Sequence, residues 1–437
     1  MPRLLLTPLL VLVLCTCGRA QYSSLADSIL AVLEEAIAAE AFPGAQVLAL
    51  HRGDTLVHIT AGHHTYARSR PVRKSDVYDL ASVTKTSSGL LYLMQQYDRG
   101  ELNLDAPLGD LFPVWKGTVA GKRTLRSALA HRAGLRPWVP YWKGTLRGNA
   151  RYPWQKNWDD ARTNDYRFRC RTLRRDSSRN YPLRVADDLW MHRKFRQRNI
   201  YRSIRKAPVE EEGNYKYSGL LFYLLPDYVE RNTGQPYHDY LRDQFYDPLG
   251  AETLGFRPLD RGIPPDRIVP TEVDDFFRMD TLHGVVHDEG AALMLGLSGN
   301  AGLFANAADL AKLYQMLMNG GTYAGRRYLS AETIREFTRY QYPKEGNRRG
   351  LGFDKPIPDY DPERSFTAAA ASPASFGHSG YTGTFVWADP EHELLYIFLS
   401  NRVHPSRSAS GIYELNVRPR IHELLYRAVG IPAPGGS

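Results

Sequence analysis

A serine and a lysine one helical turn apart are the residues of this chain best placed to do chemistry together. Ser82 and Lys85 lie in the run Tyr78-Asp79-Leu80-Ala81-Ser82-Val83-Thr84-Lys85. Residues three apart share one face of a helix, and a lysine amine in a partly dry site can accept the serine proton. The first N–H groups of a helix lack internal partners, so they would stabilise an oxyanion beside Ser82. The pair predicts a nucleophile and its base.

The Ser-x-x-Lys spacing is weak evidence by itself, because a chain of this length contains roughly one or two such matches by accident. Ser203 and Lys206 form a second match, but they lie among arginines with no preceding apolar run. We interpret that match as accidental. Ser82 instead follows a short apolar run and precedes apolar residues at helical spacing, namely Val83, Leu90, Leu91, Met94 and Tyr97. The sequence therefore predicts that Ser82 opens a helix that ends near Gly100.

The N-terminus has the pattern of a cleavable secretory signal. A basic start at Arg3 precedes an apolar block over residues 4–14, and small residues lead to Ala20. The block is too short to span a bilayer. We predict a signal peptide over residues 1–20 and an exported mature chain, periplasmic or secreted, without a transmembrane span. Lipoprotein attachment at Cys17 is the alternative, which Thr16 disfavours because small residues usually precede such sites.

Cysteine and charge usage bound the chain further. Two of the three cysteines fall in the predicted signal, so Cys170 has no partner for an intramolecular disulfide. Cys170 is expected to be a bystander rather than a nucleophile. The formal net charge is +9, and about nineteen Lys and Arg against about six Asp lie in the segment 143–206. A solvated face is the first interpretation of this segment, and a face that binds an anionic envelope polymer or a membrane surface is the second. Nucleic acid is disfavoured as a partner for an exported chain.

The order of predicted elements describes one sheet built from both chain ends. A helix over 25–41 and a hairpin of 45–51 and 55–60 come first. Strands at 350–353, 375–378, 383–388 and 394–400 and a helix over 412–429 come last. Between them lie mostly helical segments, including one predicted over 185–195. This order predicts one domain over 21–437, with an α/β lobe over about 21–115 and 305–437 and an inserted helical lobe over about 116–304.

Several motifs together resemble the serine β-lactamase-like hydrolases, a grouping of class C β-lactamases, penicillin-binding D,D-peptidases and related esterases. They appear in that family's order over nearly the whole mature chain, as Asp79 to Lys85, Leu129-Ala130-His131-Arg132-Ala133-Gly134-Leu135, Tyr217-Ser218-Gly219 and Gly377-His378-Ser379-Gly380. His287-Asp288-Glu289 and the run 298–304 look like a branch of exported bacterial hydrolases. The resemblance implies an α/β, β-lactamase-like fold, in which helices flank an antiparallel sheet and a mostly helical lobe is inserted.

The resemblance also implies site residues beyond Ser82 and Lys85. Tyr217 is the expected third catalytic residue, passing the proton on to the leaving group, with Tyr215 as a nearby competitor. Tyr217 is expected just before a helix over 218–232. Gly219 takes the place of an asparagine, which puts efficient β-lactam turnover in doubt.

The implied substrate-binding strand is His378-Ser379-Gly380, which is similar to the family's Lys-Thr-Gly. Gly380 would let the substrate backbone approach closely, and the Tyr381 N–H would form the oxyanion hole with that of Ser82. His378 is expected to carry a positive charge in mild acid and to lose it between about pH 6 and 8. A histidine bonded to the backbone is the alternative for that position.

No metal and no cofactor are expected. His283, His287, Asp288 and Glu289 contain a His-x-x-x-His spacing, but they lack a second ligand cluster, so a solvated loop is favoured.

We therefore expect an exported serine hydrolase that acts through an acyl-enzyme on a small-molecule or peptide substrate. An ester or a D-amino-acid amide, possibly derived from the cell wall, is the favoured substrate. The alternatives are a non-catalytic module that binds an envelope polymer and a β-lactamase. An acylating probe would separate the hydrolase from the module.

Overall fold

A five-stranded antiparallel sheet forms the centre of the protein. The computed structural model describes residues 24–147 and 168–433. Strands β1 (Gly44–His51) and β2 (Asp54–Gly62) come from the start of this part of the chain. Strands β13 (Phe376–Ser379), β14 (Phe385–Asp389) and β15 (Leu394–Ser400) come from its end. The strand order is β13-β14-β15-β1-β2, so the predicted α/β fold with a sheet made from both chain ends is confirmed.

Short elements make up the rest of the described chain. The other strands form small antiparallel sheets and are β3 (Tyr78–Asp79), β4 (Leu173–Arg174), β5 (Leu183–Ala186), β6 (Leu189–Met191), β7 (Gly255–Phe256), β8 (Val273–Asp274), β9 (Asp280–Thr281), β10 (Leu303–Ala305), β11 (Thr322–Tyr323) and β12 (Arg326–Arg327).

The helices flank the sheet and fill the middle of the chain. They are α1 (24–38), α2 (Thr84–Ser87), α3 (Gly89–Asp98), α4 (Leu108–Leu111), α5 (Leu125–Leu129), α6 (Arg202–Lys206), α7 (Leu225–Thr233), α8 (Tyr237–Leu241), α9 (Glu289–Leu293), α10 (Ala307–Met318), α11 (Ala331–Thr338), α12 (Gly411–Glu414) and α13 (Val417–Ala428). The predicted limits of the two lobes stay a prediction.

The central sheet packs against an apolar core on each face. Alternate residues of a strand point to opposite sides, so a single strand contributes to both cores. On β15, Leu395, Ile397 and Leu399 join the larger apolar core, which contains residues of α3 and α10. The residues between them join a second core with α1 and α13. Burying a large apolar side chain contributes roughly 1.5–3 kcal/mol, so two helical layers hold the sheet.

The segment after Ser82 is less regular than its sequence predicts. Ser82 lies in a 3-10 turn, Ala81–Val83, and two helices follow it, α2 and α3. They are separated at Ser88, whose hydroxyl donates to the Thr84 carbonyl over 2.5 Å. A serine bonded back to the preceding turn bends a helix. The prediction of one helix from Ser82 to Gly100 is therefore wrong in its continuity.

The helix predicted over 185–195 is wrong. Strands β5 and β6 pair there in antiparallel register, with Arg184 opposite Trp190. Valine, tryptophan and leucine fit a half-buried pleated surface well, and Asp187-Asp188 forms the turn between the strands.

The strand predicted over 350–353 is also wrong, because these residues form a tight turn. Arg349 and Asp354 pair across it as an isolated bridge. Gly352 has a φ of +83°, a conformation that glycine adopts without a steric cost.

The final predicted helix is interrupted between α12 and α13 by Asn416, whose φ is +47°. Asparagine is among the few residues that visit this region.

No helix among residues 24–147 and 168–433 is long and apolar enough to cross a membrane. The predicted signal peptide, residues 1–20, and part of the Arg-rich segment, residues 148–167, lie outside the described residues.

Candidate active site

The Ser82 hydroxyl and the Lys85 amine lie in direct contact. Lys85 Nζ donates to Ser82 Oγ over 2.8 Å. Lys85 is only 3% exposed, whereas Ser82 is half-buried. A buried amine that touches a partly accessible hydroxyl is the arrangement that proton transfer from a nucleophile requires. In the second Ser-x-x-Lys, the serine is buried and Lys206 is exposed on α6.

A backbone carbonyl distant in sequence fixes the position of the lysine. Lys85 Nζ also donates to the Asn300 carbonyl over 2.8 Å. The Asn300 side chain is held in turn by Ser298, Tyr223 and Asp288, at 2.5, 3.1 and 3.3 Å. Two acceptors therefore direct the lysine, one of them the candidate nucleophile.

Asp79 braces the turn that presents Ser82. Its two carboxylate oxygens accept the N–H groups of Ala81 and His287, each over 2.7 Å. Burial raises the pKa of Asp79, and these two N–H donors oppose that rise. Ala81 has a φ of +45°, which is unusual for a residue with a Cβ. The bond to Asp79 thus holds a strained residue directly before the candidate nucleophile.

The turn after β13 is fastened beside Ser82 by two threonines. The hydroxyl of Thr382 donates to the Asp79 carbonyl over 2.8 Å, and that of Thr384 donates to the Leu80 carbonyl over 3.0 Å. Gly380 lies in this turn. A Cβ at Gly380 would come within 2.6 Å of the Leu80 carbonyl oxygen. The absence of a side chain at Gly380 therefore permits the close approach of the two segments.

Tyr217 is near Lys85, but its hydroxyl does not bond to the amine. Lys85 Nζ lies 5.4 Å from the centre of the Tyr217 ring. The Tyr217 hydroxyl is buried and has no hydrogen-bond partner among the described residues. The helix expected over 218–232 begins only with a 3-10 turn at Leu221, and α7 follows it. Tyr217 therefore lies on a loop. Tyr215, its competitor, is exposed.

His131 holds Tyr217 in place from behind. Its Nδ1 accepts the Ser218 N–H over 3.2 Å, and its ring centre lies 4.5 Å from that of Tyr217. Burial, reinforced by the charge of Arg349, holds the pKa of His131 well below its usual range. His131 is therefore a neutral ring, and its Nδ1 lone pair is free to accept this bond.

His378 is neutral, which contradicts the expectation of a charge in mild acid. The side chain is buried on β13, and Nδ1 lies 2.7 Å from the Ser379 carbonyl. A carbonyl only accepts, so Nδ1 carries the hydrogen. Burial, together with the charges of Arg349 and Lys85 and against that of Asp354, lowers the pKa of His378 to about 3. The expected loss of charge between pH 6 and 8 is wrong.

The Arg349 guanidinium supplies part of the positive charge that lowers the pKa of His378. Arg349 is buried, its guanidinium pairs with the Asp354 carboxylate, and it also donates to the Gly352 carbonyl over 3.0 Å. The ring centres of Tyr217 and His378 lie 6.1 Å apart. The tyrosine, both histidines and this ion pair therefore form one cluster beside Lys85.

The other predicted binding residues lie around Ser82. Ser379 is half-buried at the end of β13. Tyr381 is 49% exposed, with its ring stacked on His287 at 5.7 Å and under the Arg402 guanidinium at 4.5 Å. The Tyr381 N–H makes no hydrogen bond to another described residue. Gly219 has room for a small side chain, since an added Cβ would meet its nearest neighbour, Asn300 Cβ, at an ordinary van der Waals distance of 3.9 Å.

The histidines and acids considered for a metal have protein partners. His283 bonds to the Ile268 carbonyl and His287 to Glu272, at 2.8 and 2.9 Å. Asp288 caps α9, and Glu289 pairs with Arg407. Within the described part of the chain, no group of three or more His, Cys, Asp or Glu side chains is placed to hold a metal ion. Cys170 is exposed and unpaired.

Sequence reasoning assigned no role in the site to Asp79, Thr382, Thr384 or the Asn300 carbonyl. Thr382, Thr384 and the Asn300 carbonyl act through contacts with segments far away in the chain, so local spacing carries no sign of them. Only Asp79 offered a signal, because an acid three residues before a candidate nucleophile can accept nearby backbone N–H groups.

The sequence matches the family model described as Beta-lactamase over residues 29–417. A protein of Escherichia coli K12 named "Putative D-alanyl-D-alanine carboxypeptidase" is 31% identical over 346 residues, which is 75% of this chain and 69% of that protein. A protein of the same name from Escherichia coli O157:H7 is 30% identical over 356 residues, which is 77% of this chain and 72% of that protein.

Solved structures share the fold. A penicillin-binding protein homologue from Caulobacter crescentus has a TM-score of 0.63 at 20% identity, covering 93% of this chain and 97% of its own. EstCE1, a hydrolase with promiscuous acyltransferase activity, gives 0.61 at 20% identity, with coverages of 92% and 99%. The D-amino acid amidase of Ochrobactrum anthropi gives 0.60 at 17% identity, with coverages of 93% and 99%.

Proposed function

Because this chain belongs to the beta-lactamase family and is a serine hydrolase, we propose that it works through an acyl-enzyme formed on Ser82. The observation that carries the proposal is the 2.8 Å contact between Ser82 Oγ and Lys85 Nζ. A non-catalytic binding module would have no need of a buried amine held against an accessible serine. The contact therefore favours turnover over binding alone.

The proposed reaction uses these groups one after another. Ser82 Oγ attacks the carbonyl carbon while Lys85 takes its proton. The N–H groups of Ser82 and Tyr381 bind the developing oxyanion. Tyr217, whose buried hydroxyl has no partner among the described residues, donates its own proton to the leaving group as the C–N or C–O bond breaks. Lys85 then gives Tyr217 the proton that it took from Ser82. Water then hydrolyses the ester on Ser82, releasing the acid.

The proposed substrate is an ester or a D-amino-acid amide, including a D-amino-acid peptide of the cell wall. The names of similar proteins support it, since a carboxypeptidase, a D-amino acid amidase and a hydrolase with acyltransferase activity all act on acyl groups. Export of the chain, predicted from residues 1–20, fits a cell-wall substrate. A β-lactam is disfavoured, because Gly219 offers no amide side chain to an acylamino group.

A fluorophosphonate probe and a substrate panel test the proposal. The panel contains p-nitrophenyl esters, D-alanyl peptides, a D-amino-acid amide and a chromogenic cephalosporin. We expect labelling and turnover in the parent, a loss of both in Ser82→Ala and a large decrease in Lys85→Met. Ser203→Ala is the matched control, because it removes the serine of the other Ser-x-x-Lys. Turnover that persists in Ser82→Ala, or a parent that neither labels nor turns over any substrate, would contradict the proposal.

A further inference from the structure

A small sheet in the middle of the chain presents an arginine, a tryptophan and an arginine in one row. Strand β6 lies between β4 and β5. Trp190 on β6 is directly opposite both Arg174 on β4 and Arg184 on β5. Residues directly opposite each other in a sheet share one face. The three side chains therefore lie side by side, with strands roughly 4.8 Å apart.

This row faces outward, because the neighbouring row faces the core. Leu173, Met191 and Leu183 form the adjacent row, and they belong to or pack against the larger apolar core. Arg174 and Arg184 are exposed, and Trp190 is half-buried. The sheet is thus anchored by its inner face, and its outer face is a fixed surface.

The positive charge of the protein is concentrated around this face. Residues 168–206 contain 13 Lys and Arg and three Asp, an excess about as large as the net charge of +9 for the whole chain. Arg179, Arg193 and Lys194 are exposed nearby. Arg184 is ion-paired with Asp187 on the β5–β6 turn, and the Arg174 guanidinium lies 5.0 Å over the Tyr181 ring. The rest of the chain has nearly equal numbers of positive and negative residues, so the positive potential is confined to this part of the protein.

We propose that this outer face, defined by Arg174, Trp190 and Arg184, binds an anionic polysaccharide. Arginine binds carboxylate and phosphate groups in a planar, two-bond geometry. A tryptophan presents a large, rigid face against which the C–H groups of a sugar ring pack. A nucleic-acid strand stacks on successive aromatic side chains, whereas this row offers one. A sugar ring over Trp190, with acidic groups on either side, matches the row better.

Binding at this face is separate from the hydrolase site and goes beyond the proposed function. It would keep the enzyme on a charged polymer while Ser82 acts on another group. Because none of the three residues belongs to the candidate active site, binding and turnover can be measured independently on the same protein.

The test measures binding of the whole chain to polygalacturonate, a sugar polymer with one carboxylate per ring. Dextran is the neutral probe, and inorganic polyphosphate is the charged probe without sugar rings. We expect binding to polygalacturonate that weakens with salt and no binding to dextran. Arg174→Gln with Arg184→Gln should weaken binding about tenfold at low salt. Trp190→Ala should weaken binding to polygalacturonate but not to polyphosphate.

The matched control is Arg326→Gln with Arg327→Gln, which removes the same charge from the exposed strand β12. This control should bind like the parent, and all variants should keep the parent's kcat/KM on a p-nitrophenyl ester and its Tm. The proposal is overturned if the parent does not bind polygalacturonate, or if both double variants weaken binding equally. It is also overturned if Trp190→Ala has no effect or if a single-stranded oligonucleotide binds more tightly.

Discussion

Replacing Asp79 with asparagine should separate the brace behind Ser82 from the chemistry of the nucleophile. The Asp79 carboxylate accepts the N–H groups of Ala81 and His287, each at 2.7 Å. An asparagine has the same shape, but only one of its two terminal atoms accepts hydrogen bonds. One of the buried N–H groups must then face a donor. Leaving such a group unsatisfied costs about 1–3 kcal/mol.

The substitution should lower the activity as well as the stability. Without its bond, Ala81 can relax from its φ of +45° and move Ser82. Loss of the His287 bond would instead loosen the ring stacked on Tyr381. A displacement of about 1 Å near reacting atoms costs on the order of 10²-fold in rate. We expect kcat to fall about 10- to 100-fold in Asp79→Asn with KM nearly unchanged, because the substrate contacts remain.

The assay is steady-state hydrolysis of a p-nitrophenyl ester together with thermal unfolding. At about 2 °C per kcal/mol for a chain of this size, Tm should fall by roughly 2–6 °C. Asp54→Asn is the matched control, since Asp54 is exposed at the start of β2, and it should behave like the parent. A parent-like kcat and Tm in Asp79→Asn would refute the role of this carboxylate.

Three further predictions concern protonation and close packing. The pKa of His378 is about 3, so this ring stays neutral from pH 5 to 8. The pH profiles of kcat/KM for the parent and His378→Gln should therefore be parallel, and a step near pH 6.5 in the parent alone would contradict this. Burial would raise the pKa of Glu272, but hydrogen bonds from His287 and Arg407 lower it to about 2 from 4.5. Glu272 therefore contributes about 3 kcal/mol of stability above pH 4.5, which is lost as the pH falls toward 2. In urea unfolding, Glu272→Gln should be less stable than the parent at pH 6. If the difference in free energy of unfolding does not become smaller at pH 3, the ionised state of Glu272 is not the cause. A methyl group at Gly380 would lie 2.6 Å from the Leu80 carbonyl oxygen, so Gly380→Ala should reduce kcat/KM at least tenfold. The control Gly53→Ala, on an open hairpin turn, should lower the stability only. Equal activity of Gly380→Ala and the parent would argue against the close approach of the two segments.

The sequence by itself determined what depends on local spacing and alternation. Ser82 and Lys85 are three residues apart, so any helical turn brings them to one face, and the structure places them 2.8 Å apart. Strands β1, β14 and β15 of the central sheet are buried almost throughout and appear as apolar runs, which is why they could be predicted. The order of the motifs was sufficient to identify the family.

Only the tertiary structure decided how the site is held and charged. The Asn300 carbonyl that directs Lys85 is 215 residues away, and the hydroxyls of Thr382 and Thr384 reach back to the Ser82 segment across more than 300. Local sequence contains no record of such contacts. The neutral state of His378 has the same origin, because a pKa depends on burial and on neighbouring charges. Residue type alone gives the unperturbed pKa of a histidine. Folding removes water from the His378 ring and brings the charge of Arg349 close to it, and both effects lower the pKa.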